Sequence, residues 1–203
     1  MRGRPIAGLS AFGYFNRAPG TRLDGVAKRN IYLIGPMGSG KTAVGKQLAE
    51  ELGLEFFDSD LEIERRTGVD IPYIFEMEGE AGFRAREADV IAELAKRRDV
   101  VVATGGGAIL SETTRERLAA TGLVFYLQTD VDEQLKRTRR TRHRPLLMNK
   151  NRREVLEELA AARAPLYTAL ADVAIDTSGK RVRAVAAALA EAAAQHGFAP
   201  LQK

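Results

Sequence analysis

Gly35-Pro-Met-Gly-Ser-Gly-Lys-Thr42 fits the pattern G-x-x-x-x-G-K-[ST], and it lies between an apolar run, Ile31–Ile34, and a helical pattern, Thr42–Leu52. Few segments constrain a chain as tightly. Glycines let the backbone curl until successive N–H groups point inward at an anion. The helix N-terminus directly behind adds its partial positive charge. Lys41 sets an ammonium where β- and γ-phosphates would lie, and the Thr42 hydroxyl can ligate Mg²⁺. A glycine-rich turn of no function would not need the strand before it and the helix after it, so the segment reads as a nucleotide phosphate cradle.

The rest of the chain repeats that local plan. From Asn30 onward, the apolar runs Glu55–Phe57, Val100–Ala103, Val124–Leu127 and Val173–Ile175 read as further strands. Helical patterns separate them at Leu61–Arg66, Ile71–Phe75, Phe83–Arg97, Ser111–Ala120, Asp132–Arg139, Arg153–Ala162 and Val182–His196. Strands joined through helices imply βαβ units and a parallel sheet covered on both faces. Ligands of such sheets collect outside the carboxyl ends of the strands. A length of 203 residues suits one domain of this class. We expect that domain over 30–203, with 1–29 as a basic, poorly ordered extension.

Composition excludes several other classes. The hydrophobic fraction of 45% and charged fraction of 29% are those of a globular protein. No apolar run approaches the roughly 18 residues that cross a bilayer. Cysteine is absent, which removes disulfides and thiolate metal sites and agrees with a reducing compartment, the cytoplasm. The net charge of +4 invites a nucleic-acid reading, yet Arg2, Arg4, Arg17, Arg22, Lys28 and Arg29 face one acid, Asp24, in the extension. The excess therefore belongs to a tail, and no nucleic-acid partner is expected. That tail reads as a disordered extension or an over-long translation start, with a targeting segment or a functional arm as the alternatives.

A phosphate cradle alone does not separate GTPases, motors and small-molecule kinases, so the metal-side acid has to be found. The strand Val100–Ala103 ends in Thr104 and three glycines instead of an acid. The acids follow the second strand, in Phe56-Phe-Asp-Ser-Asp60. Carboxylates at i and i+2 leaving a strand end can face one site, Asp58 toward Mg²⁺ and Asp60 toward a substrate hydroxyl. The plainer alternative is a solvated turn, or Asp60 as N-cap of the next helix. Gly105, Gly106 and Gly107 give backbone access to a closely packed ligand. Arg84 and Arg163 can each hold a carboxylate bidentately, although a lone arginine on a helix is usually solvated. Lys136–Arg153 is rich in Lys and Arg and contains no acid; it reads either as a solvated loop or as a lid that brings Arg144 to a transferring phosphoryl group. His143 has no acid/base partner in the sequence.

Taken together, Asn30 to about Ala194 resembles the shikimate kinase family. The resemblance rests on Gly35–Thr42, Phe56–Asp60, Ile63-Glu-Arg-Arg-Thr-Gly68, Gly79-Glu-x-x-Phe-Arg84, Thr104–Gly107, Arg144-Pro-Leu-Leu147 and Arg163-x-Pro-Leu-Tyr167, in that order. It implies a three-layer α/β/α P-loop kinase fold like that of the nucleoside monophosphate kinases. A central five-stranded parallel sheet would carry a substrate-binding helical segment at about 58–90 and a lid at about 138–152. It implies ATP-dependent phosphorylation of the 3-hydroxyl of shikimate, in chorismate and aromatic amino-acid biosynthesis, by a monomer. It assigns Gly38, Ser39, Gly40, Lys41, Thr42 and Ala43 to the ATP phosphates, and Thr42 with Asp58 to Mg²⁺. Arg137 would lie beside adenine and Arg144 on the phosphates. Asp60 would face the reacting hydroxyl, Arg84 and Arg163 the carboxylate, and Gly105–Gly107 the ring hydroxyls; Glu87 would hold Arg84. Lys41, Asp60 and Arg144 form the catalytic set.

Two rival readings remain at this level. One is another small-molecule kinase, similar to gluconate or nucleotide kinases, which would need different substrate anchors from Arg84, the three glycines and Arg163. The other is a non-catalytic ligand-sensing domain, which would have no reason to keep Lys41, Asp60 and Arg144 together.

Overall fold

The computed structural model describes residues 15–16, 29–139 and 151–198. Its centre is β2 (Asn30–Ile34), whose five residues are all buried. In a sheet covered on both faces successive side chains enter opposite cores. Ile31 and Leu33 join Val101, Phe125, Leu127 and Ile175 in one core, roofed by Val44 and Leu48 of α1 (Lys41–Leu52) and Val185 and Leu189 of α7 (Val182–Gln195). Tyr32 and Ile34 join Val102, Val124 and Tyr126 in the other. That second core is closed by Ile63 of α2 (Ser59–Thr67), Phe83 and Ile91 of α3 (Ile71–Ala95), Leu118 of α4 (Glu112–Thr121) and Tyr167 of α6 (Arg152–Leu170). These are the three layers expected. Each such aliphatic side chain taken fully from water stabilises the fold by roughly 1.5–3 kcal/mol.

The described strands form one sheet in the order β1-β6-β5-β2-β4-β3, with β3 at Glu55–Asp58, β4 at Val100–Ala103, β5 at Gly122–Gln128 and β6 at Val173–Asp176. All five from β2 to β6 run parallel. The chain winds outward through β3, returns to β4, then crosses β2 to build β5 and β6. The crevice at the end of β2 is therefore the topological switch point where such sheets take their ligands. The sixth strand is an addition: β1 (Phe15–Asn16) pairs antiparallel with β6. The sequence reading placed no element there. Two residues are too few to leave a period, and the open edge of β6 offers unpaired N–H and C=O groups whatever the partner's sequence.

The two helical patterns at Ile71–Phe75 and Phe83–Arg97 prove to be parts of one 25-residue element, α3, broken only at Gly79. Gly79 has φ 68 and ψ −175, a combination that residues with a Cβ avoid. Glu78 and Arg86 form an ion pair across this break, 2.6 Å apart. The α5 helix (Val131–Thr138) ends where the expected lid begins; its residues 140–150, Arg144 and His143 among them, lie outside the described residues.

Candidate active site

Gly35, Gly38 and Gly40 all have positive φ, at 142, 79 and 91, and this is what bends the loop after β2 into a cup. Ser39 inside it is fully buried. Lys41 folds back over the loop and donates from Nζ to the carbonyls of Gly35 and Pro36, 2.8 Å each. Thr42 and Ala43 follow in the first turn of α1, where N–H groups have no intrahelical acceptor and remain available to an anion. All six residues expected to hold phosphates thus lie on one continuous turn.

The two carboxylates after β3 separate into different tasks. Asp58 is the N-cap of α2: its Oδ1 accepts from the N–H groups of Asp60 and Leu61. Its other oxygen, Oδ2, accepts the Thr42 hydroxyl at 2.6 Å. The cap is therefore Asp58 and not Asp60. Asp60 Oδ1 instead lies 2.8 Å from where a Cβ on Gly105 would sit, so the carboxylate and the glycine loop share one wall. Ser59, between the two acids and fully buried, accepts the Gly105 N–H through its Oγ at 2.9 Å.

Across that wall stands the cationic group. Arg84 donates to Glu87 Oε2 at 2.6 Å and to Glu80 Oε1 at 2.9 Å. Its guanidinium lies flat against Gly107, where any side chain would collide with it. Glu87 is only 2% exposed. Burial pushes its carboxyl above the ordinary carboxylate range, opposed by the charges of Arg84 and Arg163. Its Oε1 has no hydrogen-bond donor and faces Gly105. Arg163, 8% exposed, reaches Gly106 O from α6 at 3.3 Å. Tyr167 donates to the same carbonyl at 2.5 Å. Gly106 itself sits against the cradle, with Gly35 O and Met37 N at 3.4 and 3.6 Å from its would-be Cβ. A cavity of about 450 Å³ adjoins the outer side of Arg84, between α3 and the start of α4.

Arg137 is placed differently from the others. Its guanidinium donates to Gly38 O at 3.1 Å and Thr177 O at 2.9 Å, and pairs with Glu133 at 2.9 Å. It braces the cradle from the β6 side. Thr177 completes the brace, its Oγ1 lying 3.1 Å from Ser39 O and 2.9 Å from Gln128 O.

Lys41, Thr42, Asp58, Asp60, Arg84, Arg163 and Gly105–Gly107 are therefore gathered at the carboxyl ends of β2, β3 and β4. Ser59, Tyr167 and Thr177 were given no role from the sequence, although Tyr167 closes the Arg163-x-Pro-Leu-Tyr167 motif and Ser59 lies within Phe56–Asp60; a hydroxyl that hydrogen-bonds backbone does not declare its partner through spacing. The described residues contain no cluster of three His, Cys, Asp or Glu that could hold a metal by itself. Thr42 and Asp58 nevertheless offer two converging hard oxygens, which suits Mg²⁺ completed by phosphates and water. No described helix is long and apolar enough to cross a membrane.

The family model described as shikimate kinase matches residues 37–194, from inside the cradle to the last turn of α7. The chain belongs to the shikimate kinase family. A shikimate kinase from Methylococcus capsulatus is 59% identical over 150 residues, 74% of this chain and 84% of that relative. One from Alteromonas mediterranea is 55% identical over 159 residues, 78% of this chain and 93% of the other. Among solved structures, shikimate kinase from Acinetobacter baumannii in complex with shikimate superposes with a TM-score of 0.81 at 50% identity, covering 82% of this chain and 93% of that one. Relatives at 50–59% identity that are themselves named shikimate kinase speak against both rival readings, and the match takes in most of the cradle, the acid pair, the glycine loop and both arginines.

Proposed function

We propose that this chain transfers the γ-phosphoryl group of ATP to the 3-hydroxyl of shikimate, giving shikimate 3-phosphate and ADP, in chorismate and aromatic amino-acid biosynthesis. The observation that carries the reading is the glycine loop. Gly106 packs on the phosphate cradle while its neighbours Gly105 and Gly107 touch Asp60, Glu87 and Arg84. An anionic sugar-like acid held there has its hydroxyls a short step from the nucleotide's terminal phosphate.

The chemistry follows from what each group can do. Arg84, held by Glu80 and Glu87, and Arg163 bind the carboxylate of the acid. Asp60 orients the reacting hydroxyl and accepts its proton as the oxygen bonds to phosphorus, while the β–γ bridging oxygen leaves with ADP. Backbone N–H groups of Gly38, Ser39, Gly40, Lys41, Thr42 and Ala43 cradle the phosphates, and the Lys41 ammonium stabilises charge on the transferring group once it leaves the loop carbonyls. Gly105–Gly107 serve the ring hydroxyls. Arg144 adds a second cation at the phosphates, and Arg137 fixes the loop beneath the base. Thr42 and Asp58 would hold Mg²⁺, which when bound draws charge off the β- and γ-oxygens. Positioning carries most of the rate, since phosphoryl transfer needs little covalent help from the protein. The site is assembled within one chain, which supports a monomer; we place it in the cytoplasm, where ATP is abundant.

The test is ADP release with shikimate, gluconate and nucleoside monophosphates offered in parallel. Turnover with shikimate alone is expected. Turnover with either other class, and none with shikimate, would overturn the assignment.

A further inference from the structure

The carbonyl of Gly106 has two donors, both on α6. Arg163 Nη1 stands at 3.3 Å and Tyr167 Oη at 2.5 Å. Four residues apart, they lie on one face of the helix. The two bonds differ in what the reaction asks of them. On the function proposed above, Arg163 must turn toward the carboxylate of the acid, and its already long bond to Gly106 is the one to weaken. A half-buried carbonyl abandoned by its donor would oppose that turn. Tyr167 has no duty toward the substrate, although its hydroxyl oxygen also meets the Arg163 guanidinium. It is 1% exposed, and its ring stacks on Tyr126 with centroids 4.9 Å apart. From the other side Ser59 accepts the Gly105 N–H, so two hydroxyls orient a loop that has no side chains of its own.

We infer that Tyr167 is a positioning residue: its hydroxyl keeps the Gly106 carbonyl satisfied while Arg163 is released to the substrate carboxylate, and it thereby sets affinity for the acid. A core tyrosine with no such role would influence stability and leave the balance between the two substrates alone. The inference rests on the shikimate reading of the site and adds a specific route by which acid affinity is set.

Tyr167→Phe keeps the ring and its stack on Tyr126 and removes the donor to Gly106 O together with the oxygen that meets Arg163. Without that donor Arg163 is the remaining partner of Gly106 O, and acid binding must break its bond. The KM for shikimate should rise about tenfold, the worth of one hydrogen bond at the upper end of its usual range, with the KM for ATP within about twofold of the parent enzyme. Partial unfolding of the variant would lower kcat and leave this ratio of KM shifts readable. The decisive arm repeats the change in an Arg163→Leu background, with shikimate affinity measured by calorimetry. There the carbonyl is equally bare before and after binding, so the hydroxyl should no longer matter. An unchanged shikimate KM in Tyr167→Phe, an equal rise for ATP, or the same loss in the Arg163→Leu background would each overturn the inference alone. Failure of the parent enzyme to phosphorylate shikimate would overturn the reading beneath it.

Discussion

Thr42 and Asp58 are joined directly, hydroxyl to carboxylate at 2.6 Å, so the first turn of α1 and the end of β3 are one unit. The same carboxylate caps α2 with its other oxygen. Asp58→Asn keeps an oxygen for the cap and removes the charge. The Mg²⁺ concentration for half-maximal activity should rise by about tenfold or more, while the melting temperature changes little. Asp58→Ala should add a loss of about 1 kcal/mol from the uncapped helix. Metal titrations of activity and urea melts on both variants separate the two tasks; an unaltered Mg²⁺ requirement in both would remove Asp58 from the metal site.

Asp60 makes no cap and faces the glycine loop. Asp60→Ala should lower kcat by roughly 10²–10⁴, the range for a positioned proton acceptor. ATP affinity measured by calorimetry should stay within about threefold, because the phosphate cradle is built from other residues. Near-normal turnover would mean that the hydroxyl is aligned and deprotonated without it.

Arg84→Leu and Arg163→Leu should both raise the KM for the acid far more than that for ATP, by about a hundredfold against less than about fivefold. They should differ in stability. Arg84 is the partner of Glu87, which is 2% exposed, so its loss leaves a buried carboxylate uncompensated. Burial already raises the Glu87 pKa against the opposing charge of Arg84, and without Arg84 it should rise further. Arg84→Leu should accordingly become less stable as pH rises through the raised value, whereas Arg163→Leu should show this weakly. Identical pH profiles in the two variants would sink this distinction.

Glu62 lies between Arg65 and Arg66 on α2, with 2.8 and 2.7 Å contacts. The Arg65 hydrogen bond, followed by the Arg66 contacts, lowers its pKa from 4.5 to about 2, with slight burial working the other way. A depressed carboxylate stabilises the fold above its unfolded value and loses that contribution as pH falls toward the folded one. The difference in melting temperature between the parent protein and Glu62→Gln should therefore be constant above about pH 5 and vanish near pH 2. Its size is small, roughly 0.3–1 kcal/mol, because solvent screens pairs this exposed. A difference that persists at pH 2 would assign it to packing instead of charge.

Much of this candidate site is legible in the sequence, and the reasons are physical. The cradle has a fixed spacing because phosphate geometry fixes it, and β2 is visible because a strand buried on both faces must be apolar throughout. Asp58 and Asp60 were found together, yet only the geometry separates the cap that touches Thr42 from the acid that faces Gly105. Arg84 and Arg163 were ordinary helical arginines until the fold brought them to neighbouring glycines. Tyr167 and Ser59 lay inside recognised motifs but, like Thr177, had no assignable role, because hydroxyl-to-backbone bonds depend on tertiary contact. Arg137, expected at the base, is tied to Gly38, Thr177 and Glu133, a role that only the meeting of α5 with the loop after β6 reveals. The expected lid, with Arg144, lies outside the described residues.

The interruption at Gly79 divides α3 into two mechanical parts. Arg84, Glu87 and the buried Phe83, Val90 and Ile91 all follow it, anchored in the core. Ile71 to Glu78 precede it and carry the exposed rim residues Tyr73 and Met77. A disturbance at the rim reaches the carboxylate anchor through the torsions of Gly79, the Glu78–Arg86 pair and the Phe75–Phe83 ring contact at 4.8 Å. Sequence change can accumulate at the exposed positions Tyr73 and Met77 while Ile74 and Phe75, packed in the same core as Phe83, stay tied to the grip on the acid.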